Sequence, residues 1–99
     1  MGMDCTVVVE VRGDKGWDVL CIVPLSRNSN LFDKMWTVGH CGYPVDVDPI
    51  TKATLNNMED YGEGWLAMER FMELPGSDQL AFIRKKIRKD CRVIYRFDW

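Results

Sequence analysis

Seven basic side chains, Arg84, Lys85, Lys86, Arg88, Lys89, Arg92 and Arg96, fall within 13 residues and are opposed there only by Asp90. That window carries a formal +6 and the other 86 residues carry −8, which accounts for the net charge of −2. Clustered guanidinium and ammonium groups on an otherwise acidic chain are the chemistry of anion capture. Arginine forks in particular match the paired oxygens of phosphate or carboxylate. Cations in a last helical turn also favour the helix through its dipole, with no partner involved. Arg92 and Arg96 point further, because they alternate with Val93, Tyr95 and Phe97 and so share one face of a strand. Duplex nucleic acid is a poor fit. The sequence pI is about 5.3, whereas duplex-binding domains commonly exceed about 9. A compact anionic ligand or an acidic protein patch fits better.

Two further groups carry chemically useful side chains. From Asn56 to Trp65, three carboxylates (Glu59, Asp60 and Glu63), the Tyr61 phenol and the Trp65 indole surround Gly62 and Gly64. This reads either as a capping loop anchored by Trp65 or as an aromatic-floored recess that stacks a flat ring such as a base. From Trp36 to Pro44 the chain reads Trp-Thr-Val-Gly-His-Cys-Gly-Tyr-Pro, and its irregular continuation suits a binding loop. His40 as a general base would need an oriented nucleophile, and no residue in the sequence identifies one. We therefore expect no enzyme activity. The four cysteines lack any C-x-x-C pair and the only histidine adjoins one of them, so neither a metal site nor a cofactor is expected. Reduced, mostly buried thiols are the expectation instead.

The elements that must position these groups follow from local patterning. Thr6–Val11 is a β-branched run, and Arg12 to Gly16 is a turn. Trp17–Val23 is a second strand ended by Pro24, so the pair forms an antiparallel hairpin. Leu31, Phe32, Met35 and Trp36 recur at helical spacing after a polar capping stretch, and Gly39 closes that helix. Asp48-Pro49 resembles a cap and first turn for a short helix near Ile50–Met58. The spacing of Trp65, Met68, Phe71 and Met72 predicts a helix over Gly62–Leu74. A further helix is predicted over Asp78–Lys89, followed by a strand over Arg92–Asp98. The order β-β-α-α-α-β implies one α+β domain over residues 1–99. We expect a small antiparallel sheet of about three strands, helices on one face, and the last strand beside the first or second. With no apolar run near the length of a membrane span and no leader pattern, the chain is expected to be soluble and to stay where it is made.

Four short segments carry a resemblance. Arg27-Asn28-Ser29-Asn30-Leu31-Phe32 resembles an R-N-Y-x-L-F helix start, and Tyr43-Pro44-Val45-Asp46-Val47 is similar to a G-L-P-x-D-V loop. Asp60 to Leu66 resembles a D-x-H-S-x-S-W-L segment, and Arg92 to Asp98 an R-V-V-F-W-F-D strand. In this order the four resemble a family of small uncharacterised accessory proteins of tailed bacteriophages. The chain departs from the family at Gly62, Glu63 and Gly64, where H-S and S stand. The resemblance implies a protein that acts in the cytoplasm of an infected bacterium and counters a host defence. It would do so by sequestering a nucleotide signal or by blocking a defence protein directly. Added to the residue chemistry, it leads to an expected ligand site of Arg92, Arg96, Arg88 and Lys89 for phosphate, with Trp65, Tyr61 and Trp36 for a base. A site of that size on so short a chain is expected to lie at a homo-oligomer interface.

Overall fold

The computed structural model describes residues 4–56, 62–87 and 89–98. Strands β1 (Asp4–Gly13) and β2 (Gly16–Leu25) form the expected hairpin, with Asp14 and Lys15 at its tip. Helix α1 (Ser29–Val38) begins where the Asn28 side chain accepts a 3.1 Å hydrogen bond from the Leu31 amide. That bond satisfies one of the amides a helix start otherwise leaves unpaired. The two-residue strand β3 (His40–Cys41) follows, then α2 (Pro49–Asn56), strand β4 (Gly62–Ala67) and the single turn α3 (Met68–Phe71). A 3-10 turn (Ser77–Leu80), α4 (Ala81–Lys86) and strand β5 (Cys91–Asp98) complete the order. No helix among the described residues is long and apolar enough to cross a membrane.

The architecture corrects the sequence expectation in two respects. The sheet has five antiparallel strands in the order β2-β1-β5-β4-β3, not about three from a β-β-α-α-α-β chain. β5 does return beside β1, but its other edge is taken by β4, so it is a central strand. Residues Gly62–Ala67 look helical only if Trp65 joins Met68 and Phe71 on one stripe. In the structure Trp65 and Leu66 face opposite sides of the sheet, and the helix is reduced to Met68–Phe71. Two glycines within three residues disfavour a helix by about 1 kcal/mol each. Gly64 also lies against Tyr95 so closely that a Cβ would sit 2.8 Å from the ring. Glycine suits that strand position because only a bare backbone fits beneath the tyrosine.

The second correction concerns the layers. Helices cover both faces, not one. On the first, Val7, Val9, Val93, Tyr95 and Phe97 pack against α1, α3, the 3-10 turn and α4 through Leu31, Phe32, Met35, Met68, Phe71, Leu80 and Ile83. On the second, Val8 and Ile94 meet Leu55 of α2, with Val19, Tyr43, Val47 and Trp65 around them. Strands covered on both sides lose in–out alternation, which explains why Val7, Val8 and Val9 are all fully buried. Each fully buried phenylalanine contributes about 1.5–3 kcal/mol of transfer free energy. Most of that apolar burial lies on the helical face.

Candidate functional site

Register alone assembles a charged row across the second face. Glu10 of β1 is paired with Arg92 of β5, and Arg92 is paired on its other side with Ala67 of β4. Arg12 and Trp17 face each other across the hairpin, and Trp65 is paired with Ile94. Because Ala67 is small, the side chains of Trp17 and Trp65 rise around Arg92 and leave a groove between them. Its volume is about 670 Å³, and its lining includes Arg12, Trp17, Val45, Asp46, Trp65 and Arg92. The Arg92 guanidinium lies 4.1 Å from the Trp17 ring centre and 5.9 Å from that of Trp65. Arg12 lies 5.5 Å from the same Trp17 ring and is exposed. Such cation–ring contacts contribute about 0.5–2 kcal/mol, more when dry.

Arg92 is held on two edges. Nε and Nη2 lie 2.8 Å and 2.7 Å from Oε1 of Glu10, which is wholly buried. Nη1 donates to Oδ1 of Asp46 at 2.8 Å, and Nη2 to the Asp46 carbonyl at 3.2 Å. The second oxygen of Glu10 accepts from the Asp48 amide at 3.1 Å and from the Thr51 hydroxyl. A carboxylate with both oxygens doubly engaged has no free lone pair with which to abstract a proton. Glu10 and Arg92 therefore act as a buried fastener. They bind residues 42–51, a strap across the second face, to the middle of the sheet. Tyr43 adds to the strap: its hydroxyl accepts from Arg96 at 3.2 Å and donates to Asn56 at 3.1 Å. Asp46 differs from Glu10 in exposure, with 64% of its side chain open to solvent. The hydrogen bond from Arg92 keeps its carboxyl below the ordinary range, partly offset by desolvation, with a smaller contribution from Trp17.

Of the residues expected from sequence to bind ligand, Arg92 and Trp65 meet in this groove. Arg96 points from the same face two rows away, 3.5 Å from Glu63 and 7% exposed. Trp36 is on the helical face, 5.9 Å from the Phe97 ring. Lys89 is exposed just before β5, and its carbonyl accepts from Arg84. Arg88 and Tyr61 lie outside the described residues. The basic window is thus divided. Lys86 of α4 lines a small apolar recess on the helical side with Leu20 and Phe82, whereas Arg92 and Arg96 face the other way. Arg84 is paired with Glu69.

Sequence reasoning missed Trp17, Arg12, Glu10 and Asp46. The available signal was Glu10 itself, a lone acid inside Val-Val-Val-Glu-Val, which demands a cationic partner once the strand is covered on both sides. His40 stacks on Trp65 with ring centres 4.4 Å apart, while exposed Cys41 is paired with Gly64. Cys5 and Cys91 are buried, Cys21 is half-buried, and all four thiols are free. Among the described residues no three His, Cys, Asp or Glu side chains are arranged to hold a metal ion. No protein-family model matches this chain, and neither a curated protein nor a solved structure does so.

Proposed function

We propose that this chain is a non-enzymatic binding protein of phage-accessory type, which acts in the bacterial cytoplasm by sequestering a small planar ligand carrying negative charge. A nucleotide second messenger is the ligand class we favour. The observation that supports this reading is the groove lined by Trp17 and Trp65, with a buried guanidinium between them and the exposed Arg12 at its edge. Two indoles offer stacking surface worth roughly 1–3 kcal/mol per base. An exposed arginine adds a charge-assisted hydrogen bond of about 1.5–3 kcal/mol. Asp46, Glu69 and Asp90 also line the groove, so a ligand with many phosphates is disfavoured and a singly charged one preferred. The groove is open on one side, which a second copy of the chain would close.

The test is direct. Native mass spectrometry of protein purified from bacterial cells reports the subunit number and any retained small molecule. Titration with a nucleotide panel should quench tryptophan fluorescence, and Trp17→Ala or Trp65→Ala should each weaken binding at least tenfold. Full affinity in both variants would sink the groove as the site. A second reading, direct blockade of a host defence protein, draws on exposed Leu20, Ile22 and Phe82 near the open β2 edge. Affinity purification that yields a stoichiometric bacterial protein insensitive to Trp17→Ala would favour it.

A further inference from the structure

Arg92 has one guanidinium and two carboxylate partners, and the two are not equivalent. Glu10 is sealed inside the sheet and held by four hydrogen bonds, two of them from Arg92 itself. Asp46 reaches Arg92 from the strap, is mostly solvent-exposed, and stands in the groove lining beside both indoles. Once Glu10 has neutralised the arginine, Asp46 supplies a surplus negative charge on the outer edge. That edge bears a donor pair, Nη1 and Nη2, engaged with Oδ1 and the carbonyl of Asp46. An outside oxyanion can replace the Asp46 carboxylate at Nη1 once that side chain swings away, and it reaches Nη2 only if the backbone of residue 46 moves with it. Such an exchange is charge-for-charge and costs no net desolvation of a second buried ion.

We infer that Asp46 is an internal stand-in for the ligand's anionic group: it caps the outer edge of Arg92 until a flat ring bearing one phosphate displaces it. This rests on the groove being the ligand site. The exchange has two consequences. Selectivity falls on a single-oxyanion ring compound, because only one donor edge is released. Binding also detaches residue 46 from the sheet, so the strap tip at Val45, wholly exposed, becomes free to fold over the ligand.

The probes are adenosine and 3′,5′-cyclic AMP, which present the same base with and without one phosphate charge. Both are titrated by tryptophan fluorescence into the intact protein, Asp46→Asn and Asp90→Asn. Circular dichroism checks that each variant keeps its fold, and Asp46→Ala serves if Asp46→Asn does not. Removing the stand-in should tighten cyclic AMP by about tenfold while leaving adenosine unchanged. Asp90→Asn removes the same charge from the lining without freeing Arg92, so it should change cyclic AMP by about twofold or less. Equal gains in the two variants, or equal gains for both probes, would overturn the exchange and leave the groove as the site. Absence of quenching by either probe in every variant would overturn both.

Discussion

The two faces of the sheet are built on different principles. The helical face is a continuous apolar layer in which Val7, Val9, Val93, Tyr95 and Phe97 meet three helices. Among the described residues the strapped face has a small apolar cluster of Val8, Leu55 and Ile94, and beside it a Glu10–Arg92 pair that joins positions 82 apart in sequence. Apolar packing tolerates substitution by degrees, because volume can partly collapse. A dry ion pair does not, because removing one partner strands a charge. The first face supplies most of the buried apolar residues. The second fixes one loop conformation at one register, and it carries the groove between Trp17 and Trp65.

That contrast can be broken most sharply at Glu10. Glu10→Ala leaves a buried guanidinium short of its main partner and should cost about 3–5 kcal/mol in urea denaturation. The double change Glu10→Leu with Arg92→Met should recover most of that loss while the strap loses its anchor. A single-variant cost below about 1 kcal/mol would mean that the pair is not dry, and the contrast would collapse. Leu31→Ala on the helical face should cost about 2–5 kcal/mol, with no companion change able to restore it except refilled volume. The smallest effect belongs to Asp46. Its folded carboxyl titrates below the ordinary 3.8, so the contribution is complete above about pH 4 and fades as pH falls through the folded value. Asp46→Asn should therefore slightly lower the neutral plateau of a stability–pH curve, measured by thermal melting, and flatten its acid limb, so that the variant and the parent chain converge at low pH.

Local rules recovered the hairpin, α1 after its polar capping stretch, and the alternation of β5. Each of these is determined by residues close in sequence. The same rules failed at Gly62–Ala67, where the strand exists because β5 offers a partner edge and Tyr95 leaves room only for glycine. They also failed for most of the groove. Arg92 and Trp65 were identifiable as ligand-type residues, but Trp17 looked like an ordinary strand start and Asp46 like loop filler. What joins the four is cross-strand register plus a strap, and register over so many residues has no local signature. The basic window is divided because α4 packs on the helical face, whereas Arg92 and Arg96 of β5 lie with Glu10 and Glu63 on the other.

The middle strand of this sheet, β5, is the last of the described elements to leave a ribosome. Until it arrives, β1 and β4 have open edges that face each other across a missing neighbour, and Glu10 has no counter-ion. Nascent chain can form the hairpin and α1 early, but the two halves must wait for one late insertion to be joined. Folding is then governed by long-range closure, which is slow and exposes strand edges to other chains meanwhile.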